Sequence, residues 1–449
     1  MEASQIKYRM GIADRGYREI YIKPSEMAKE IQFSGIIPKV NSAAERDIIF
    51  ETGILQSGDT TGIAVPLTAA AEILAEVRER ARMINLEHTL AYPQHAALAE
   101  SAIIIEPEAH GISSSIGFEY HINFMRNLVP RALFWRSIKD SFALNSKGKY
   151  ERDDEKHNDA WEKLVSSGAE LTRVLESIQK HEISNGAMFP IGLTRSIHPD
   201  FPESLEHAAL LSKENQSISS ALGKRKICPI AISSPALRSR SMIKELIEMV
   251  MKRDEFGQPE IMHFEFDDCN INGDTGQFRN FRLLLEMTKK LRELDIPTTI
   301  GGSNIALSVA LGACGVTAST AHIGGRTGFR QKSGGGARKG NGFDFSELDW
   351  VPVDVIDDYI DENGVYPAYT PSALSIAGRR ISELSNLEWI KLRKKIGTEC
   401  IDELNRLARN AASSNEHLEG VTKRLWDSKH ANLCKLIPGY NGEMPTGLM

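Results

Sequence analysis

Short apolar runs separated by longer stretches of helical periodicity dominate this chain, most clearly in its second half. KICPIAISS (226–234) predicts a strand. SRSMIKELIEMVMKRD (239–254) places Met242, Ile243, Leu246, Ile247, Val250 and Met251 on one face, which predicts an amphipathic helix. IMHFEFDD (261–268) is the next strand, and FRNFRLLLEMTKKLREL (278–294) a helix ended by Pro297. IPTTIGG (296–302), a short helix over NIALSVALGA and GVTAST (315–320) continue the rhythm. Upstream strand candidates are 8–14, 34–40, 61–67, 101–108, 131–137 and 186–193, with helical stretches at 69–84 and 158–181. In 158–181, Trp161, Leu164, Val165, Leu171, Val174, Leu175 and Ile178 share one face.

Such βα repetition predicts an α/β protein with a mainly parallel sheet, either a closed barrel or an open doubly wound sheet. About ten strand candidates lie close enough to eight to favour a (β/α)8 TIM-like barrel. The barrel, with insertions, is expected over 1–369. Residues 370–449 read as a C-terminal helical appendage with Leu387, Ile390, Leu404, Leu407 and Leu425 on buried faces.

Alternate residues of a barrel strand face the lumen and the helical shell. In IMHFEFDD the apolar set is Met262, Phe264 and Phe266, so His263, Glu265 and Asp267 are expected to point inward. SAIIIEPE repeats this, with Ile103 and Ile105 outward and Ile104, Glu106 and Glu108 inward. An unpaired carboxylate inside a barrel costs several kcal/mol, so it has a cation, a hydrogen-bond network or a task. Asp267, Glu265, Glu106 and Asp14 (ending the first strand candidate) are the catalytic candidates, with His263 and Glu108 as substrate contacts. Paired carboxylates can protonate a leaving group, stabilise an oxocarbenium-like centre or activate water. They can equally hold Mg²⁺ or pair with Arg and Lys across the lumen. No metal or cofactor is expected.

Gly301, Gly302, Ser303 and Asn304 follow a late strand and open a helix, a turn that suits an anion and equally a plain tight turn. GGRTGFRQKSGGGARKGNG (324–342) holds eight glycines, no acid, and five basic residues: Arg326, Arg330, Lys332, Arg338 and Lys339. A glycine-rich cationic loop after a barrel strand matches a polyanion backbone, and Phe329 and Phe343 can stack on bases. The ending of a Walker motif is missing. With 54 basic against 60 acidic residues the net charge is −6, which excludes a globally basic nucleic-acid coat and leaves local binding. A hydrophobic fraction of 41% excludes a disordered chain or a collagen. No run reaches the roughly 18 apolar residues of a membrane span. Cys228, Cys269, Cys314, Cys400 and Cys434 are scattered without a CxxC pair, and the first 25 residues lack a signal-peptide core, so a cytoplasmic location is expected.

The order IPTTIGGSN, helix, GVTAST and basic glycine-rich tail, over residues 226–345, resembles the late half of the tRNA-guanine transglycosylase-like barrels. That superfamily cleaves the N-glycosidic bond of a base in RNA, or in DNA for one branch, using two aspartates. Three departures accompany the resemblance. The Asp-Ser-Gly-Gly-Phe motif is replaced at best by Asp14-Arg15-Gly16-Tyr17, no acid lies near Thr317–Thr320, and the zinc site is missing. The resemblance then implies hydrolysis rather than base exchange: a DNA glycosylase, of the kind that removes a modified base from phage DNA. The alternatives are a small-molecule barrel enzyme (a sugar-phosphate lyase or glycoside hydrolase) and a non-catalytic binding protein.

Overall fold

The computed structural model describes residues 6–10, 18–22, 35–52, 62–75, 102–107, 112, 118–147, 150–267, 274–322, 341–376, 378–411, 415–428, 430–437 and 440. Eight parallel strands form one curled sheet: β1 (Gly35–Lys39), β2 (Gly62–Pro66), β3 (Ala102–Glu106), β4 (Ser196–Ile197), β5 (Ile227–Ile232), β6 (Ile261–Phe266), β7 (Thr298–Ser303) and β8 (Ala318–His322). Their spatial order is β3-β2-β1-β8-β7-β6-β5-β4, so the last strand pairs with the first and every other neighbour follows chain order. This is TIM-like connectivity, with strands buried on both faces as a parallel sheet requires.

The sheet is not closed, which corrects the expectation of a complete barrel. The edge strands β3 and β4 share no ladder. Between them runs the buried segment 187–195, whose Met188 N–H donates to Ile103 O (2.9 Å). Two residues keep that segment from becoming a ladder strand. Pro190 has no N–H to give. Gly192 sits at φ +75°, and its amide turns to the Glu182 carboxylate (3.0 and 3.1 Å). A Cβ at Gly192 would lie 2.0 Å from Asn215 Oδ1, so both the φ and the space require glycine.

Helices fill the connections: α1 (Ala43–Thr52), α2 (Leu133–Asp140), α3 (Asp154–Ser166), α4 (Gly168–Ser184), α5 (Glu203–Ala221), α6 (Arg240–Lys252), α7 (Thr275–Glu293), α8 (Ile305–Ala313) and α9 (Asn386–Ala411). The strand expected over 131–137 is instead α2. Phe134, Trp135 and Ile138 are its buried face, and Phe134 packs on Trp161 of α3 (ring centroids 4.8 Å apart). Helical spacing of the aromatics overrides their strand propensity. The expected first strand, 8–14, is also displaced. Ile6–Met10 pairs antiparallel with Arg18–Ile22 outside the main sheet, which begins at Gly35.

Most of the described residues beyond Thr370 are helical, and α9 packs on β1, α1 and α8. Asn405 of α9 binds both backbone groups of Ile36, accepting from its N–H and donating to its carbonyl (2.7 Å). This satisfies polar groups that β1 cannot pair with β2, since their ladder begins only at Lys39. Lys394 to Glu45 (2.9 Å) and Lys391 to Glu51 (2.9 Å) add ion pairs between α9 and α1. Phe343 is fully buried against Trp350 in the hairpin Gly342–Asp344/Asp349–Val351, so it does not serve as a base-stacking side chain. Among the described residues no helix is long and apolar enough to cross a membrane.

Candidate active site

Paired residues of a parallel sheet project to the same face, so register converts each strand into layers. Ile227 pairs with Ile261, Pro229 with His263 and Ala231 with Glu265; across the next ladder, His263 meets Thr299 and Glu265 meets Gly301. Met262, Phe264 and Phe266 join the shell cluster with Ile243, Leu246 and Phe281. The alternate residues turn inward. At the N-terminal end the interior is an apolar plug of Ile37, Ile104, Phe189, Ile191, Ile227, Ile261 and Ala318. Towards the carboxyl ends of the same strands it becomes ionisable: Lys39, Glu106, His263, Glu265 and His322, joined by Thr299 and Thr320. The lumen therefore runs from dry to polar in the direction in which barrel enzymes place their chemistry.

Glu106 and Lys39 form the core of this polar half. Lys39 Nζ lies 2.7 Å from Glu106 Oε2, and both side chains are 0% exposed. Thr320 donates to Glu106 Oε1 (2.5 Å) while accepting from the Gly302 amide (2.9 Å). His322 stands beside Lys39 in register, and its Nδ1 accepts from Asn41 Nδ2 (3.3 Å). Glu106 is thus a neutralised, oriented carboxylate.

One strand pair away, His263 Nδ1 and Thr299 Oγ1 share a hydrogen bond (2.8 Å), and the Thr299 hydroxyl also lies within donor reach of Met262 O (3.3 Å). His263 Nε2 faces Glu265 Oε1 at 3.5 Å. Behind them Glu182 reaches in from α4. Burial pushes its carboxyl well above the usual range. The Gly192 amide opposes that, and the charge of Glu265 reinforces it. A carboxyl raised in the folded state stabilises the fold at low pH and loses that contribution as pH climbs from the ordinary carboxyl range through its folded value. Glu182→Gln keeps an acceptor for Gly192. It is expected to remove this loss, so that urea midpoints at about pH 5 and pH 8 differ less than in the parent protein.

Asp267 follows β6 at the rim. It is half-buried, and its Oδ1 accepts from the Ser234 amide (2.6 Å). At the end of β4, His198 comes to the same rim; its imidazole is 23% exposed. Burial lowers its basicity, and the charge of Asp267 is among those that raise it.

The glycine turn divides differently from its sequence reading. Gly301, Gly302 and Ser303 belong to β7, and Asn304 caps α8 by accepting from Leu307 N (2.7 Å). Gly302, at φ +70°, spends its amide on Thr320, and Ser303 Oγ donates to Thr320 O (3.0 Å). These groups brace β7 on β8 beneath Glu106. Asp14, Glu108, Arg326, Phe329, Arg330, Lys332, Arg338 and Lys339 lie outside the described residues.

Of the residues singled out from the sequence, Glu106, His263 and Glu265 are buried at this end of the sheet and Asp267 follows them in the chain; Lys39, Thr320, His322 and His198, not singled out, lie at the same end. SGIIPKV carried a usable signal, because Lys39 stands two residues after lumen-facing Ile37. Among the described residues, no group of three or more His, Cys, Asp or Glu side chains is placed to hold a metal ion. No protein-family model and no curated protein matches this chain.

Proposed function

We propose that this chain is an N-glycosyl hydrolase that removes a modified base from DNA, built on an incomplete (β/α)8 barrel whose mouth receives the flipped nucleotide. The observation that supports the reading is the polarity of the lumen: a dry base, and above it inward carboxylates at the carboxyl ends of two strands. Glu265, set beside His263, is placed to stabilise the positive charge that develops on the sugar as the glycosidic bond lengthens. Asp267, half-buried at the end of β6, accepts a proton from the attacking water in this account. Glu106 is committed to Lys39 and Thr320, which suits it to shaping the pocket rather than attacking the sugar. The basic run from Arg326 to Lys339 supplies phosphate contacts in this account. The resemblance to base-exchanging barrels carries the choice of an N-glycosidic bond, and the absence of an acid at Thr317–Thr320 carries the choice of hydrolysis.

The test incubates the protein with unmodified DNA and with phage DNA bearing glucosylated hydroxymethylcytosine. Free base and alkali-labile abasic sites are then measured. Release from the modified DNA, with binding that weakens steeply as salt rises, is the expected result. Absence of release from any DNA, together with hydrolysis of simple aryl glycosides, would transfer the same carboxylates to a small-molecule glycoside hydrolase.

A further inference from the structure

Strands β4, β5 and β6 end on one line. Ile197 pairs with Ile232 and Ile232 with Phe266, and all three side chains lie in the shell cluster. The residues that follow them, His198, Ser233 and Asp267, form the next row towards the mouth. Backbone bonds hold the row level: Ser233 N–H donates to Ile197 O (3.1 Å) and Asp267 N–H to Ile232 O (3.4 Å). Ser233 is occupied as a helix cap, accepting from Ala236 N (3.2 Å). His198 and Asp267 are the ionisable members of the row.

His198 is held from several sides. Its backbone N–H donates to Ser204 Oγ (2.9 Å), its ring lies 5.6 Å from that of Phe201, and its Nδ1 accepts from the Asp200 amide (3.3 Å). With Nδ1 accepting, the neutral imidazole carries its proton on Nε2. We propose that His198 is a further catalytic residue of this mouth, presenting Nε2–H as a hydrogen-bond donor to the base that departs. The inference rests on the glycosidic reading above. As the bond between C1′ and the base nitrogen breaks, its electron pair moves onto the base, where the imidazole N–H stabilises it. Water adds its hydroxyl to C1′ and yields its proton to Asp267. That proton returns through solvent to the released base, so one water is consumed and nothing else. Burial is the largest influence on the ring and, with Arg152, lowers its basicity against the charges of Asp200 (Oδ2 3.5 Å from Nδ1), Asp154 and Asp267.

A donor to the leaving group matters most when that group leaves poorly. His198→Ala is expected to slow release of a cytosine-type base about a hundredfold. Its uracil-type counterpart, which keeps the same 5-substituent and is a better leaving group, should be slowed less than tenfold, and His198→Gln, which keeps an N–H donor, should recover part of the loss. An equal loss on both bases, or none, overturns the inference. The imidazole ¹⁵N spectrum of the intact protein gives a readout free of activity. Nε2–H is the expected tautomer, and Nδ1–H would overturn the assignment. A protein that shows the Nε2–H tautomer and releases no base contradicts the glycosidic reading, and the leaving-group role falls with it.

Discussion

Glu265→Gln is expected to cut base release about 10³-fold while leaving the unfolding midpoint near that of the parent protein. The substitution preserves volume and an oxygen acceptor in a side chain that is 1% exposed, so packing against Ala231 and Gly301 is retained. What disappears is the negative charge beneath the mouth. The loss should fall on kcat and kcat/KM alike, because the interaction grows only as the sugar becomes cationic. Single-turnover release of base, paired with a urea titration, separates this from misfolding. Parental rates in the Glu265→Gln variant would leave the lumen acid without a role in bond cleavage.

Lys39→Met should have the largest effect on stability, lowering it by about 3–5 kcal/mol. The methionine fills much of the same volume but leaves the Glu106 carboxylate wholly buried with, among the described residues, Thr320 to hold it. Breaking one side of a buried ion pair strands its partner, whereas removing both charges does not. Lys39→Met combined with Glu106→Gln is therefore expected to regain most of the loss, with a large coupling energy in the double-mutant cycle. Urea midpoints at unchanged slope give the measurement. Parental stability in Lys39→Met alone would mean that the pair contributes little to the polar half of the lumen.

The alternation in IMHFEFDD was legible because a period of two with aromatics on one side leaves a single orientation for a strand backed by helices. Phe264 and Phe266 fix the outward face, and Glu265 follows inward. The same logic worked for Ile104 and Glu106. It failed where local preference and tertiary packing disagree. RALFWRS has the composition of a strand, yet Phe134, Trp135 and Ile138 bury one helical face against α3. The gap in the sheet was half legible. Pro190 advertises a missing donor, but the capture of the Gly192 amide by Glu182 depends on where the helix predicted at 158–181 docks, which its periodicity does not give. Lys39 was overlooked because a lysine ending a strand is usually a solvated residue. Its meaning comes from Glu106, delivered by a distant strand. His198 lies beyond a two-residue strand that has no periodicity to read.

In the proposed mechanism, inward carboxylates meet a sugar that turns cationic. The most direct measurement compares binding of two DNA duplexes, one carrying a cationic pyrrolidine in place of the target sugar and the other a neutral tetrahydrofuran. Transition-state mimics bind at least about 10²-fold tighter than their neutral counterparts when a site is built for the charge. The protein is expected to prefer the pyrrolidine duplex by that margin, and Glu265→Gln to lose the preference. Equal affinity for the two duplexes in the parent protein would contradict that mechanism.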